Sequence, residues 1–387
     1  MTPIFIEAAK RTPMGAFQGS LSQLKAWQLG SALMQHMPVE KIEEVFMGCV
    51  LQAGQGQSPA RQASLAAGIP NYVPCTTINK VCGSGMRAIM MGCDQLLLGY
   101  HTQVLAGGME SMTNAPYLLD KARAGVRFGH GKVLDHILTD GLEDAYTKGP
   151  DGSPAVMGVL SELVAERYGF TRYDQEAYVS QTYENWQKAQ KSAYFSGEIA
   201  PIFLDVKGEK VPVSCDEPPQ KVFPEKFKNL KPAFKKDGSI TAATSSSLAD
   251  GAAAVVLCSE KNASAPLARI VGYTSFAQDP QWFSLSPIHA IQNLCSRVGW
   301  TVGEVDLFEI NEAFAVVPMA AMVDLSIPRQ KVNIHGGACV MGHPLGASGA
   351  RIVVTLAHAL KTHGLKRGIA AACIGSGEAT AIALESV

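Results

Sequence analysis

No stretch of this chain reaches the roughly 18 consecutive apolar residues of a membrane span. Nor does the start Met1-Thr2-Pro3-Ile4-Phe5-Ile6-Glu7, which reads as a strand, carry a basic region or a long apolar run. Both absences point to a soluble, cytoplasmic protein with no membrane partner. An excess of either charge is missing as well: 33 Lys and Arg stand against 34 Asp and Glu. No broad footprint for nucleic acid is therefore expected, and any phosphate must be held locally. The nine cysteines (Cys49, Cys75, Cys82, Cys93, Cys215, Cys258, Cys295, Cys339 and Cys373) never fall in C-x-x-C spacing. An odd, scattered set speaks against a disulfide framework and a zinc knuckle, so a reducing compartment fits and no metal site is expected.

What is present is an ordinary globular composition. With 387 residues, 47% of them hydrophobic, the chain can bury two or three sizeable cores. Its most informative stretch is Val81-Cys82-Gly83-Ser84-Gly85-Met86-Arg87, followed by Ile89, Met90, Cys93 and Leu97 at helical spacing. Cys82 is thereby placed at a helix start, where unpaired N–H groups and the positive end of the helix dipole favour a thiolate. Two readings of this stretch stand: a nucleophile that glycines leave open to a ligand, or a small buried cysteine in a Gly-rich turn.

Strand and helix alternate around it. A strand at Val45–Met47 ends at Gly48-Cys49, a helical pattern runs through Arg61, Leu65 and Ala66, and Thr76–Asn79 is extended. The Cys82 helix stops at Gly99, and the strand Val104–Ala106 closes at Gly107-Gly108-Met109-Glu110. This is an α/β layer. The order returns near the C-terminus, displaced by about 260 positions: Glu304-Val305-Asp306-Leu307-Phe308 matches Glu43–Phe46, and Ser348-Gly349-Ala350-Arg351 matches Ser84–Arg87. Both Arg residues are expected to open a helix that stops at a glycine, Gly99 or Gly364, before a small-residue strand. Two copies of one α/β unit explain the pattern.

Between the copies lies a different region, rich in charge, Tyr and Pro. Helices are expected over 161–167 and 174–194, the second with Tyr183, Trp186 and Ala189 turned inward, and residues 205–240 read mostly as loop. The division is residues 1–116 with 245–265, an inserted region 117–244, and residues 266–387. An insertion of this size on a rigid scaffold is where a binding lid is expected.

Three further polar motifs fall at element ends in the second copy: Asn311-Glu312-Ala313-Phe314, Gly342-His343-Pro344-Leu345-Gly346 and Cys373-Ile374-Gly375-Ser376-Gly377. Strand ends are where ligands bind in such sheets. Together with Asn79-Lys80-Val81-Cys82-Gly83-Ser84-Gly85, these motifs resemble the thiolase family over the whole chain. The resemblance implies a five-layered α-β-α-β-α fold with an inserted loop domain, and a Claisen condensation or its reverse on coenzyme A thioesters. Coenzyme A and acyl-CoA are then substrates, and no cofactor is bound permanently. Cys82 matches the acylated cysteine, His343 its activating histidine, and Cys373 the second cysteine that moves the α-proton with a pKa close to neutral. The family pattern assigns one oxyanion hole to His343 and a water held by Asn311, and another to the N–H groups of Cys82 and Gly375. Ala242 and Ser246 match the pantetheine loop, and Met157, Phe234, Ala313 and Phe314 match the tunnel lining. Lysines between Lys207 and Lys236 are candidates for the nucleotide phosphates.

Within the family the pattern is closest to acetyl-CoA C-acetyltransferases. Arg127–Asp144 resembles the loop that joins their tight dimers, which implies a homotetramer. Val156 stands where short-chain members commonly carry histidine. A 3-ketoacyl-CoA thiolase for longer chains is the alternative, and a non-catalytic CoA-binding scaffold is the rival of another class. Ketosynthases use a histidine or asparagine where this chain has Cys373, which disfavours a carrier-protein condensing enzyme.

Overall fold

The computed structural model describes residues 3–149, 152–260, 263 and 265–387. Met1 and Thr2 of the expected N-terminal strand lie outside the described residues, as do residues 261, 262 and 264 beside the expected boundary at 265. The first half runs β1 (Ile4–Arg11), β2 (Gly15–Ala16), α1 (Ala26–Met34), β3 (Glu44–Gly48), α2 (Pro59–Ala66), β4 (Cys75–Ile78), α3 (Ser84–Leu97) and β5 (Gln103–Ser111). A long excursion follows: β6 (Tyr117–Leu119), β7 (Val133–Asp135), β8 (Glu143–Lys148), β9 (Pro154–Val156), α4 (Met157–Tyr168), α5 (Arg172–Lys191), β10 (Ile202–Val206) and β11 (Glu209–Val213). The chain then returns to the first half as β12 (Ala249–Ser259). The second half comprises β13 (Ala268–Ala277), α6 (Ser286–Val298), β14 (Leu307–Ile310), α7 (Val316–Asp324), α8 (Ala338–Met341), α9 (Leu345–His363), β15 (Arg367–Ile374) and β16 (Glu378–Glu385).

The duplication is visible in the strand order. In the first half the strands lie β4-β3-β5-β12-β1, and in the second β14-β15-β16-β13, with Val332 bridging Phe308 in parallel where β4 stands in the first. The β3/β5 and β14/β15 pairs are parallel, and the β5/β12 and β15/β16 pairs antiparallel. The two halves join edge to edge through Ile4–Ile270, Phe5–Arg269 and Ile6–Ala268 of β1 and β13.

Five layers follow from side-chain alternation along the strands. Val45, Met47 and Leu105 pack in one core with Leu29 of α1 and Ala63 of α2. Their neighbours Phe46, Val104 and Ala106 pack in the central core with Met86 and Ile89 of α3 and Ile352 and Leu356 of α9. Leu307, Ala370 and Ala372 of the second half join that central core, while Phe308, Ile369 and Ala371 face α6 and α7. Helix α9 is buried almost all round because sheets cover both its sides.

Small residues let α3 and α9 meet closely. A Cβ on Gly85 would fall 2.8 Å from the Gly346 carbonyl oxygen, and one on Gly349 would fall 2.7 Å from the Met86 nitrogen. That approach brings the start of α9 beside the start of α3. The excursion is pinned to the scaffold by Arg11, fully buried at the end of β1, which donates to both Asp216 oxygens (2.7 and 3.0 Å) and to Glu198 (2.5 Å).

Three local expectations change. Helix α9 begins at Leu345, so Arg351 lies within it, paired with buried Glu309 at 3.4 Å, rather than opening it. Helix α5 covers Arg172–Lys191, capped by Thr171 and ending before 194. Trp186 and Ala189 are buried and Tyr183 half-buried. The stretch read as loop from 205 carries the β10–β11 hairpin, whose Lys207-Gly208 turn has both residues left-handed, at φ 54° and 88°.

Candidate active site

Cys82 lies on a tight turn between β4 and α3. Gly83 is the N-cap, so the cysteine precedes the helix. Val81 adopts a left-handed backbone, φ 45°, which is strained for a β-branched residue and typical of a side chain aimed by its surroundings. Local bonds hold the turn: Asn79 Oδ1 accepts the Val81 N–H (3.0 Å), while Ser84 Oγ accepts the Lys80 N–H (2.8 Å) and donates to the Val81 carbonyl (2.7 Å). The N–H groups of Gly375 and of Cys82 itself are directed at the sulfur.

Burial pushes the Cys82 thiol up to about 11, outweighing those two N–H groups, and buried Glu110 raises it further. The helix start favours a thiolate but does not hold one at rest: desolvation of the charge exceeds the gain from the helix end, so a base must take the proton. Cys373, at the end of β15, is likewise pushed well above its ordinary value, by burial and by Cys82, although its own N–H and that of Ala313 favour the anion. The near-neutral value expected for it does not hold in the resting site. Both sulfurs keep their protons until a base or a charge change removes them.

That base is placed by α9. His343 precedes the helix on a turn where Gly342 has φ 88°. Ser348 Oγ donates to the Pro344 carbonyl (3.0 Å) and lies 2.5 Å from His343 Nδ1. With its one hydrogen committed, the hydroxyl accepts from Nδ1–H, which leaves Nε2 with its lone pair. Burial and the Arg351 charge pull the ring down to about 3, so it is neutral at neutral pH. Asn311 Nδ2 lies 3.4 Å from His343 Nε2, and Asn311 Oδ1 is buried without a partner.

Cys82, His343 and Gly375 line one cavity of about 300 Å³ with Met157, Phe234, Ser246, Ala313 and Phe314. Asn311 and Cys373 do not line it: they are buried against its wall through His343 and Ala313. Ala242 lines an adjoining cleft of about 480 Å³, joined to the first by the shared Ser247 and Leu248. Lys221, Lys226 and Phe223 border that outer cleft. Ser246 donates through both N–H and Oγ to the Ala313 carbonyl (3.0 Å each), so its hydroxyl offers lone pairs to a ligand amide. Phe314 meets Phe234 edge-on at 5.8 Å, and Phe234 lies against α4 where a Cβ on Gly158 would touch its ring.

Several cavity residues were missed in the sequence. Met112, Leu138, Leu142, Leu248 and Phe283 line it, together with Val156. Leu138 and Leu142 belong to the stretch read as an inter-dimer loop, so part of that stretch is pocket wall. Glu110 was read only as the close of a strand. It accepts from the N–H groups of Val50 (3.0 Å), Leu51 (3.1 Å) and Gly346 (2.8 Å), thereby holding the α9 start from the other half of the chain. Burial raises it to about 7 despite those bonds. Glu312 accepts from Tyr178 and Asn333 (2.8 Å each) and from the Cys339 N–H (3.1 Å), which anchors the segment carrying Asn311.

Residues 4–261 match the thiolase N-terminal domain family, and residues 264–386 match the thiolase C-terminal domain family. The chain belongs to the thiolase family. It is 43% identical to an acetyl-CoA acetyltransferase of Schizosaccharomyces pombe, covering 100% of this chain and 99% of that one. Among solved structures, an acetyl-CoA acetyltransferase of Bacillus anthracis superposes with TM-score 0.95 at 38% identity, covering 100% of this chain and 99% of the other. A thiolase of Ascaris suum in complex with coenzyme A superposes with TM-score 0.92 at 39% identity, with 100% of each chain covered. The stretches matched by the two domain families each contribute to one cavity: Cys82 comes from the first, and His343 and Gly375 from the second.

Proposed function

We propose that this thiolase is an acetyl-CoA C-acetyltransferase, which condenses two acetyl-CoA to acetoacetyl-CoA and runs the reverse CoA-dependent thiolysis. The observation that carries the reading is the convergence of Cys82, a neutral His343 whose Nε2 is unprotonated, and the N–H of Gly375 in one apolar cavity.

In acylation His343 Nε2 takes the Cys82 proton as sulfur attacks the thioester carbonyl. The departing CoA thiolate takes its proton from Cys373, leaving that thiolate beside a charged His343. The oxyanion lies against the N–H groups of Cys82 and Gly375. Cys373 then removes a methyl proton from the second acetyl-CoA, and the carbanion attacks the acyl group and expels the Cys82 thiolate, which recovers its proton from His343. The enolate oxygen is held by protonated His343 Nε2 and a water on Asn311, whose unpartnered Oδ1 supports that role. The high resting position of Cys373 suits this cycle, because its thiolate is needed only beside the charged histidine.

For CoA, Met157, Phe234, Ser246, Ala313 and Phe314 border the arm, Ala242 the outer cleft, and Lys221 and Lys226 the end where phosphates would lie. The nine free cysteines support a reducing, cytoplasmic setting. No helix among the described residues is long and apolar enough to cross a membrane. A homotetramer is supported by the β6–β7 hairpin and its connecting loop, which expose Tyr117, Leu119, Val126, Phe128 and Val133.

After incubation with acetyl-CoA, mass spectrometry should find an acetyl adduct on the peptide bearing Cys82. An adduct confined to another cysteine overturns the assignment. The same protein should prefer four-carbon to ten-carbon 3-ketoacyl-CoA in kcat/KM: with a pocket methylene worth only about 1–3 kcal/mol, the one change at Val156 shifts preference without changing the class. A ten-carbon preference favours the longer-chain alternative, for which the apolar wall of Val156, Leu138 and Leu142 speaks. Light scattering should give a tetrameric mass, and a dimeric one removes that part of the proposal. Asn311→Ala should lower condensation about 10²- to 10³-fold, as for a lost oxyanion donor, and a loss under about tenfold contradicts its role.

A further inference from the structure

We propose that the ion pair between Lys80 and Glu378 is a positioning device for acyl transfer: it straps the turn carrying Cys82 to the turn that follows Cys373. It thereby holds the N–H groups of Cys82 and Gly375 on one sulfur. The inference rests on the reading of Cys82 as the acylated residue.

The two N–H groups belong to different halves of the duplicated fold, and each turn is tied to its own half. The Cys82 turn is closed by Asn79 and Ser84, and Cys49 N–H bonds the Ile78 carbonyl behind it (2.9 Å). In the second half, the Gly377 carbonyl accepts from the Gln278 N–H and the Ser286 hydroxyl (2.9 Å each). Ser376 at φ 68° and Gly377 at φ 85° complete a left-handed bend there. No strand pairing joins the two turns among the described residues.

Apart from the Gly375 N–H on the Cys82 sulfur, the turns meet where Gly83 packs on the Ile374 side chain. A Cβ on Gly83 would fall 2.3 Å from Ile374 Cδ1 and 3.3 Å from Thr380 Oγ1. A glycine against an apolar side chain sets how near the turns come, but its non-directional contact leaves their lateral offset weakly specified. Lys80 Nζ on the Glu378 carboxylate adds a directional link that fixes this offset and with it the line of the Gly375 N–H on the Cys82 sulfur. Lys80 is two residues from Cys82, and Glu378 opens β16 three residues beyond Gly375.

The side chains are 24% and 35% exposed, so solvent screening leaves the pair little to add to global stability. Its effect lies in alignment. Charge appears on the acyl oxygen only during reaction, so a displaced Gly375 N–H weakens the transition state more than the bound substrate. A shift of about 1 Å at such a centre can cost up to 10²-fold in rate.

The test uses the full-length enzyme with K80M, E378Q and the swapped double variant K80E/E378K. Each single substitution should lower kcat for acetoacetyl-CoA thiolysis about five- to twentyfold, with KM for CoA within about twofold and Tm within about 2 °C. The swap should recover most of the loss, as expected of a direct coupling. A second readout is the rate of Cys82 alkylation by iodoacetamide, followed on the Cys82 peptide, which should slow in the singles and recover in the swap. Single variants with kcat and alkylation within about twofold of the parent overturn the strap, as does a swap no better than the singles. A parent protein that is never acylated on Cys82 defeats the functional reading instead, and alkylation then judges the strap alone.

Discussion

Cys82→Ala is expected to abolish thiolysis of acetoacetyl-CoA, a fall on the order of 10⁴ to 10⁶, as when a nucleophile is removed from a concerted set. The size follows from what remains. His343 would keep its Nε2 lone pair and its Ser348 bond, and Gly375 would keep its N–H, yet the sulfur that those groups serve would be gone. Water has no route to substitute, because the product of the first step must stay bound for the second. Folding should survive, since Cys82 is small and 9% exposed, and its partners in the local apolar cluster, Val50, Leu51, Met112 and Leu345, remain. The measurement is single-turnover release of acetyl-CoA from acetoacetyl-CoA alongside a melting curve. Activity within about tenfold of the parent in a folded variant would falsify the acyl-Cys82 mechanism.

Cys373→Ala should divide the reaction. Acetylation of Cys82 is expected to persist at a reduced rate, because His343 and the two N–H groups serve bond formation there and CoA can leave as a thiolate when Cys373 is not present to protonate it. Condensation should fall about 10²- to 10⁴-fold, the range for loss of a general acid and base. The geometry sets this apart from a packing effect. Cys373 is buried at a strand end with the Ala313 N–H directed at its sulfur, and alanine fills most of the same volume. Quench experiments after mixing with acetyl-CoA should show the acetyl peptide of Cys82 but little acetoacetyl-CoA. Condensation near the parent rate would transfer the base role to another group, with His343 the nearest candidate in the chain of contacts.

The candidate catalytic residues were legible because they stand in short motifs at the ends of elements, where spacing in the sequence is also spacing in space. Asn79–Gly85, Asn311–Phe314, Gly342–Gly346 and Cys373–Gly377 each hold their chemistry within a few residues. The pocket wall is a different case. Met112, Leu138, Leu142, Leu248 and Phe283 come from five places along the chain, each an ordinary apolar residue with no local mark. Glu110 looked like the polar end of a strand, because its three N–H partners include Gly346 from the far half. Lys80 and Glu378 carry no signal at all until the halves are packed.

By itself, then, the sequence determined that the chain repeats one α/β unit, interrupts the first copy with a region of other composition, and carries two cysteines, a histidine and an asparagine at element ends. Those properties reside in local periodicity and covalent order, which survive without tertiary contacts. Only the tertiary structure decided the state of those groups. The helix start favours a thiolate at Cys82 and the family pattern promised Cys373 a nearly neutral thiol, but both are held as thiols because burial outweighs the nearby N–H donors. Desolvation depends on everything that surrounds an atom, whereas a motif reports only its neighbours along the chain.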